Sequence, residues 1–392
     1  MAKRVGMEVS ISISEAVKLA NVDVISAYPI TPQTHIVEHL SEFVSDGELH
    51  SAFVPVESEH SAMSAALGAS AVGARTFTAT SSQGLALMHE IMYLAASMRL
   101  PVVMSVVNRA LSSPINIWND LSDIMAERDS GWIQVFAING QEAYDLTLQA
   151  FKIAEDPRVL LPVAVNLDGF ILSHVIEPIE LFEQKEVDPF LPPYQPVLRL
   201  DPEKPVSMGA FGSPEVFIEV KKQVEEALIG SQKVVAEVWK DFGQRYGRVY
   251  KPVESYQTKG AETILITMGS ITETAMMAID ALREKGRQVG LVHIRLWRPF
   301  PFKEFLQAIK GAKTVAVLDR ALSPGGVGGP VGLEVKSALF GKEERPYVAE
   351  FVAGLGGRDL TVETFIEVLD KAEKYSQKQK DFQYELIGVR EK

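Results

Sequence analysis

Four polar side chains follow four successive apolar runs of the sequence, each at the point where its run ends. They are Thr31, Glu59, Gln83 and Arg109. If the runs are strands of one parallel sheet, these side chains meet at its carboxyl edge, which is where such sheets bind ligands. A glutamate buried at that edge would be a candidate for proton transfer. The four residues together predict a ligand pocket.

Each of these loops also has a purely structural interpretation. The turn Tyr28–Thr34 contains two prolines that lock an extended backbone, and Thr31 or Thr34 could simply cap the next helix. Glu57 and Glu59 could be surface carboxylates stabilised by a helix dipole. Local sequence leaves both interpretations open for any single loop, and the agreement of four loops favours the pocket.

The elements that must position these residues are predicted by alternating short apolar runs and helical patterns from Val22 to about Phe170. The predicted strands are Val22–Ala27, Ala52–Val56, Thr76–Thr80, Pro101–Val107, Trp132–Ala137 and Leu161–Asn166. The predicted helices are Thr34–Phe43, Ser58–Ala71, Gly84–Ser97 and Glu142–Glu155. Repeated strand–helix units predict a doubly wound α/β fold whose parallel sheet is covered on both faces.

A connector and a second α/β unit follow. From about residue 173 the rhythm breaks into a proline-rich stretch, Pro189–Pro205, and a long amphipathic helix, Val216–Phe242. Alternation then resumes, with predicted strands Thr263–Met268, Gln288–Ile294, Thr314–Asp319 and Tyr347–Val352 and helices Thr272–Lys285, Phe302–Ile309, Gly332–Leu339 and Val362–Lys371. We therefore expect one domain over 1–245, a second over 255–380, and a tail over 381–392.

Composition limits what the chain can do by itself. Its 392 residues contain no cysteine, so iron–sulfur clusters, disulfides and thiolate catalysis would require another chain. The formal charge of −12 repels phosphate backbones and argues against nucleic-acid binding. The sequence has no apolar run long enough to span a membrane and no signal-peptide pattern, so we expect a cytoplasmic protein.

The loops described above also carry a family resemblance that extends over nearly the whole chain. The matching segments are Tyr28–Pro32, the helix start at Glu59, Thr78–Leu87, Asn108–Ser112, Asp129–Trp132, Asn166–His174, Arg298–Pro301 and Gly354–Asp359. In these segments the chain resembles the α subunit of pyruvate:ferredoxin oxidoreductase, a thiamine-diphosphate enzyme. The resemblance implies that the first domain binds the cofactor's pyrimidine ring and that the second is similar to the transketolase C-terminal domain.

The resemblance also implies a role for each candidate residue. Glu59 would hydrogen-bond N1′ of the aminopyrimidine and so promote loss of the thiazolium C2 proton, with Glu57 as the second choice. Thr31 and Arg109 would bind the 2-oxoacid substrate. Tyr28, Pro29, Ile30 and Gln83, together with Glu59, would contact the cofactor.

The same resemblance implies a complex of several chains. The sequence lacks the Gly-Asp-Gly and Asn-Asn elements that hold the cofactor's diphosphate and Mg²⁺, so a β subunit would supply them. γ and δ subunits would handle coenzyme A and carry [4Fe-4S] clusters, and ferredoxin would accept the electrons. The implied reaction converts pyruvate and coenzyme A to acetyl-CoA, CO2 and reduced ferredoxin, or runs in reverse.

Three other functions remain open at this stage. The chain could belong to a related branched-chain or aryl 2-oxoacid:ferredoxin oxidoreductase. It could be the β-type chain of a thiamine-dependent 2-oxoacid dehydrogenase, or a non-catalytic subunit that binds 2-oxoacids or assists assembly. The Tyr28–Pro32 element argues against the dehydrogenase, and the presence of both Glu59 and Arg109 argues against a non-catalytic subunit.

Two further motifs carry no predicted function. His35 and His39 have the spacing of a metal-binding pair, but the sequence offers no third ligand, so no metal site is expected. The glycine-rich stretch Pro324–Pro330 follows a strand but lacks the spacing of a phosphate loop. A flexible turn is the favoured interpretation.

Overall fold

The computed structural model describes residues 3–381 and 383–390 and consists of helices packed on three sheets. In chain order, its first half contains β1 (Lys3–Glu8), α1 (Val9–Leu19), β2 (Val24–Ala27), α2 (Thr34–Ser45), β3 (Ala52–Pro55), α3 (Glu59–Ala71), β4 (Thr76–Thr80), α4 (Ser82–Ser97), β5 (Val102–Asn108), α5 (Ser122–Ala126), β6 (Ile133–Phe136), α6 (Gly140–Ala154), β7 (Val163–Asp168), β8 (Ile176–Leu181) and α7 (Gln184–Val187). The rest contains α8 (Phe217–Tyr246), β9 (Val253–Tyr256), β10 (Thr263–Thr267), α9 (Ile271–Glu284), β11 (Val289–Ile294), β12 (Leu296–Arg298), α10 (Phe302–Ala308), β13 (Thr314–Asp319), α11 (Pro330–Leu339), β14 (Tyr347–Val352), α12 (Val362–Gln377) and β15 (Glu385–Leu386).

The larger sheet has seven strands in the order β12-β6-β7-β5-β4-β2-β3. Its six strands from the first half of the chain are parallel, so the loops that follow β2, β3, β4 and β5 leave the sheet at one edge. β5 is buried along its whole length, as expected for a central strand covered on both faces. The predicted doubly wound α/β fold is confirmed for this part of the chain.

One strand of this sheet comes from far along the sequence. β12 pairs antiparallel with β6, so three residues beyond position 295 complete the edge of a sheet built from the first 168 residues. The expected boundary near residue 250 therefore separates two units that share a sheet. β1 and β8 form a separate antiparallel pair beside them.

The second large sheet has six strands in the order β15-β14-β13-β10-β11-β9. Only β9 is antiparallel to its neighbour, which again confirms the predicted parallel α/β fold. Helix α12 is longer than predicted and ends at Gln377. Residues 385 and 386, which the sequence assigns to a tail, add the edge strand β15.

Three apolar cores hold these layers together. One lies under α1, α2, α6 and α8 on one face of the seven-stranded sheet, and another lies under α9 and α12 on the outer face of the second sheet. The middle core joins side chains of both halves of the chain, among them Met63, Trp132, Trp297 and Val317. The two α/β units are therefore packed against each other through a continuous buried apolar layer.

Candidate active site

The loops at the carboxyl edge of the seven-stranded sheet are bonded to one another. Arg109 Nη1 donates to the carbonyl of Thr31 at 2.9 Å, which joins the loops after β5 and β2. Ser82 Oγ donates to the carbonyl of Ala110 at 2.7 Å, which joins the loops after β4 and β5. Glu59 lies against Gly84 at the start of α4. The structure thus brings the four predicted residues to one edge of the sheet.

Glu59 is a buried carboxylate at the beginning of a helix. Ser58 caps α3 by accepting a hydrogen bond from the Ser61 amide, and Glu59 is the first residue of the helix. Its side chain is only 7% exposed. Within residues 3–381 and 383–390, no side chain or backbone group hydrogen-bonds its carboxylate or pairs with it. Its oxygens are not among the fully buried polar atoms that lack partners, so the carboxylate keeps some access to solvent and can accept an external partner.

Several fully buried polar atoms in this part of the sheet lack partners. They are Oγ1 of Thr78 and Thr80, Oγ of Ser81, Nε2 of Gln83 and Oε1 of Gln33. Thr80, Ser81, Gln83 and Gln33 lie on the loops or strand ends of this edge, and Thr78 lies within β4. Buried polar groups of this kind are usually satisfied by a ligand or water. The donor and acceptor set fits a polar heterocycle such as an aminopyrimidine, which presents both ring nitrogens and an amino group.

Arg109 is held in place without a neutralising acid on its guanidinium. Its Nε donates to the carbonyl of Asn116 at 2.7 Å and its Nη1 to that of Thr31, and the residue is 6% exposed. Burial lowers the pKa of Arg109, although the nearby Asp123 carboxylate opposes that shift. Both protein partners are neutral carbonyls, so no carboxylate pairs with the guanidinium, which remains available to an anionic ligand.

The turn after β2 is held by a hydrogen bond within it and is partly open. Gln33 Nε2 donates to the carbonyl of Tyr28 at 2.8 Å, and the Thr31–Pro32 peptide is cis. Tyr28, Pro29 and Thr31 are exposed, and Ile30 is half-buried. The residues predicted to contact the cofactor in this turn are therefore accessible to a ligand. Pro32 is fixed from the other side by Gly169, where any Cβ would lie 2.7 Å from its Cγ.

Asp123 organises two of these loops, and sequence reasoning did not select it. Its Oδ2 accepts from the amides of Ser82 at 3.1 Å and Arg109 at 3.0 Å, and its Oδ1 accepts from Asn108 Nδ2 and the Ile124 amide. Complete burial raises the pKa of Asp123 to about 7 despite these four donors. The carboxylate fixes the start of α4 relative to the end of β5.

A second buried acid joins the two α/β units. Asp168 ends β7, and its carboxylate contacts Arg320 Nη1 at 2.5 Å and the Ser270 amide at 2.8 Å. Burial alone would raise the pKa of Asp168, but the Arg320 guanidinium and the Ser270 hydrogen bonds outweigh it and hold that pKa below its usual value. The contacts of Asp168 therefore extend across the interface between the two units.

The glycine-rich stretch 324–330 does not form an anion site at the start of α11. The Asp319 carboxylate accepts from the Val331 and Gly332 amides at 3.1 and 2.7 Å, and Glu350 accepts from the Gly329 amide. These carboxylates occupy the helix N-terminus that a phosphate would need. Burial raises the pKa of Asp319 to about 8, with a further contribution from Glu350.

A cavity of about 750 Å³ lies at the opposite edge of the sheet. Its lining includes Tyr93 and Ser97 near the end of α4, Gly131 before β6 and Lys221 on α8. None of the predicted site residues contributes to it. The candidate site lies instead among the loops at the carboxyl edge of the seven-stranded sheet.

The comparisons with known proteins decide the family. Residues 15–240 match the model of the thiamine-diphosphate-binding domain of pyruvate flavodoxin/ferredoxin oxidoreductase, and residues 261–365 match core domain II of pyruvate:ferredoxin oxidoreductase. The chain belongs to this family. The family resemblance stated from the sequence is confirmed, as are the assignment to an oxidoreductase and the presence of a thiamine-diphosphate-binding domain.

Relatives within the pyruvate:ferredoxin oxidoreductase family are similar over most of the chain. A pyruvate synthase subunit PorA from Methanocaldococcus jannaschii is 50% identical over 364 residues, which is 92% of either chain. A ketoisovalerate oxidoreductase subunit VorA from Pyrococcus horikoshii is 46% identical over 88% of this chain and 87% of its own.

Two solved structures share the fold. The 2-oxoglutarate:ferredoxin oxidoreductase from Magnetococcus marinus superposes with a TM-score of 0.71 at 20% identity, over 95% of this chain and 65% of that one. A split-gene transketolase in an inactive β4 tetramer superposes with a TM-score of 0.56 at 12% identity, over 94% of this chain and 99% of that one. They support the predicted pairing of a thiamine-type domain with a transketolase-like C-terminal domain.

The helices of the described residues include none with the length and apolar character of a membrane-spanning segment.

Proposed function

We propose that the chain is the α subunit of a pyruvate:ferredoxin oxidoreductase, active only within a multi-subunit complex. The complex would convert pyruvate and coenzyme A to acetyl-CoA, CO2 and reduced ferredoxin, or run the reverse reaction. The observation that carries the proposal is the buried, unpartnered Glu59 carboxylate at the same sheet edge as the unneutralised Arg109 guanidinium. The name of the PorA relatives supports pyruvate as the substrate.

Glu59 is the proposed proton-sharing residue. Thiamine diphosphate, when bound, supplies a thiazolium carbon that becomes nucleophilic once it loses its proton. Glu59 would hold a proton between its carboxylate and N1′ of the pyrimidine, which makes the 4′-amino group a better base.

Arg109 and Thr31 are the proposed substrate contacts. The guanidinium still has donors free beyond those given to the Asn116 and Thr31 carbonyls, and a planar fork suits a 2-oxoacid carboxylate. The Thr31 side chain lies on the exposed side of the same turn. Tyr28, Pro29, Ile30 and Gln83 would contact the pyrimidine, and the unpaired Nε2 of Gln83 supports its part in this set.

The rest of the chemistry would lie on partner chains. A β subunit would hold the diphosphate and Mg²⁺, and γ and δ subunits would handle coenzyme A and carry [4Fe-4S] clusters, because this chain has no cysteine to bind iron. Ferredoxin would receive the electrons, and the complex would work in the cytoplasm. The family match favours this scheme over a lipoyl-dependent dehydrogenase chain.

A branched-chain 2-oxoacid is the second candidate substrate, because the ketoisovalerate oxidoreductase subunit is nearly as similar as the PorA relatives. The deciding experiment is a steady-state survey of the assembled complex with pyruvate, 2-oxoisovalerate, an aryl 2-oxoacid and 2-oxoglutarate, measuring ferredoxin reduction. We expect the highest kcat/KM for pyruvate. A preference for 2-oxoisovalerate would replace pyruvate by the branched-chain substrate, and no turnover of any 2-oxoacid would reject the function.

The shared cofactor site has its own test. Thiamine diphosphate should bind the isolated chain with a Kd of about 1 mM or weaker, since the diphosphate half of the site is missing. Calorimetry on the purified chain measures this directly. A Kd near about 1 μM without a partner would show that this chain holds the whole cofactor.

A further inference from the structure

A cluster of two histidines and one glutamate lies at the start of α2, directly after the Tyr28–Gln33 turn. Glu8 ends β1, His35 is in the first turn of α2, and His174 follows β7. The potential ligand atoms of all three lie within 4.8 Å of one another, and each residue is partly buried. None of the three belongs to the proposed cofactor or substrate contacts.

The contacts within the cluster already hold its side chains in place. Nδ1 of His35 lies 2.7 Å from Oε1 of Glu8, and the rings of His35 and His174 lie 4.6 Å apart, tilted by 37°. Nδ1 of His174 lies 2.7 Å from the Ser173 hydroxyl, which leaves its Nε2 free. Metal-binding histidines commonly have their second ring nitrogen fixed by such a hydrogen bond.

We propose that Glu8, His35 and His174 form a binding site for a divalent transition-metal ion, with Zn²⁺ as the favoured occupant. Two imidazoles and one carboxylate are ligands that Zn²⁺ accepts, and water can complete its tetrahedron. Hard ions such as Mg²⁺ prefer sets made of oxygen alone. Ligand atoms that all lie within 4.8 Å of one another can reach a single Zn²⁺ ion at about 2.0–2.1 Å by small side-chain rotations.

The spacing of His35 and His39 gave no reason to expect a metal site, and His39 lies outside the cluster. Nδ1 of His39, one turn beyond His35, lies 3.1 Å from the Glu42 carboxylate. The partners of His35 come instead from positions 27 residues before it and 139 residues after it, so no local motif could reveal them. Glu8, His35 and His174 come together because β1 and the loop after β7 both pack against α2.

The place of the cluster defines what the ion would do. It would join β1, α2 and the loop after β7, and that loop supports the substrate turn through the contact of Gly169 with Pro32. Phe170 in the same loop packs on Trp118, whose ring centroid is 4.9 Å away. A bound ion would therefore fix the positions of the loops around Arg109 and Thr31 without touching the substrate.

The test uses the full-length chain, freed of metal by a chelator and dialysed. Zn²⁺ binding is measured by calorimetry, and Co²⁺ is added as a spectroscopic probe because tetrahedral Co²⁺ absorbs strongly in the visible range. We expect one ion per chain with a Kd of about 1 μM or tighter, and a higher Tm with Zn²⁺ present. H35Q and H174Q should each weaken binding by at least about tenfold.

H39Q is the matched control, because it removes a histidine from the same helix outside the cluster. Its affinity for Zn²⁺ should equal that of the unaltered chain. E8Q provides a third cluster variant if either histidine variant fails to fold. The proposal is overturned if Zn²⁺ does not saturate one site below about 1 mM, if cluster variants bind as tightly as the unaltered chain, or if H39Q loses affinity equally. None of these readouts depends on catalysis, so the result is separate from the proposed function.

Discussion

A Cβ atom on Gly84 would lie 2.7 Å from Oε1 of Glu59. The same atom would lie 2.5 Å from Oγ1 of Thr80, so the missing side chain at position 84 is what leaves room for the carboxylate. Gly84 belongs to α4, where alanine would otherwise be the better helix residue. Conformational preference does not account for glycine here, but the close approach of Glu59 does.

Replacing Gly84 with alanine should displace Glu59 and leave the fold intact. Because the added methyl group must push the carboxylate or Thr80 aside, we expect the activity of the assembled complex to fall by at least about tenfold, which corresponds to about 1.4 kcal/mol of barrier. The matched control is Gly68→Ala on α3, where nothing lies within 4 Å of the new Cβ. That variant should keep its activity and gain roughly 0.5–1 kcal/mol of stability. Equal activities for the two variants would contradict the packing argument.

Glu59→Gln should slow the chemical step without disrupting assembly. Glutamine keeps the shape but cannot share a proton with the pyrimidine, so activity should fall by roughly 10²–10⁴-fold. Exchange of the thiazolium C2 proton, followed by NMR in deuterated buffer, reports the affected step. Glu57→Gln is the control, because Glu57 is exposed and its carboxylate accepts a hydrogen bond from Ser61. Slow exchange in the Glu57 variant with normal exchange in the Glu59 variant would reverse the assignment.

Arg109→Lys should raise KM for the 2-oxoacid by at least about tenfold, or roughly 1.4 kcal/mol. An ammonium group cannot donate to the Asn116 and Thr31 carbonyls and still offer a planar fork to a carboxylate. Cofactor affinity should change little. Arg199→Lys, at an exposed position of the connector, controls for the substitution itself. An unchanged KM with weakened cofactor binding would assign Arg109 to the cofactor.

The buried pair Asp168–Arg320 should be a strong contributor to stability. Arg320→Met leaves the Asp168 carboxylate buried without its cation, which typically costs about 3–5 kcal/mol of unfolding free energy. Lys313→Met, in an exposed pair with Glu262, should cost under about 1 kcal/mol. Denaturation by urea measures both changes. Similar losses for the two variants would contradict the assigned role of the buried pair.

The effect of Arg320→Met should also depend on pH. The folded pKa of Asp168 is held below its unfolded value, so the stability it contributes is present above the unfolded pKa of about 3.9 and is lost as pH falls through the folded pKa. Without Arg320, burial raises the pKa of Asp168 in the variant, so the difference between Arg320→Met and the unaltered chain should shrink as the pH falls from that raised pKa to the depressed pKa of the unaltered chain. A constant difference over that range would exclude Asp168 as the titrating group.

Much of the fold could be predicted because parallel strands buried on both faces leave plain apolar runs. The strands Thr76–Thr80, Thr314–Asp319 and Tyr347–Val352 were predicted with the bounds that the structure has. In a parallel sheet, residues that follow the strands lie at the same edge. For this reason the sequence alone could group Thr31, Glu59, Gln83 and Arg109. Their roles in binding and catalysis stay predictions.

The missed features depend on contacts that leave no local pattern. Helix α1 was not predicted, because Ser10, Ser12 and Ser14 interrupt its apolar run although all three are buried and hydrogen-bonded to backbone carbonyls. Strand β12 has three residues, too few for a recognisable period. Asp123 and Arg320 become important only through partners that folding brings to them.

Because β12 pairs with β6, the first sheet can be completed only after part of the second half of the chain is present. During synthesis on the ribosome, the first sheet cannot be completed until the residues up to Arg298 have emerged, because until then β6 lacks its outer neighbour. An unpaired strand edge readily recruits another chain. A fragment that stops before residue 296 should therefore aggregate when expressed alone, and adding the second half as a separate polypeptide should restore its solubility.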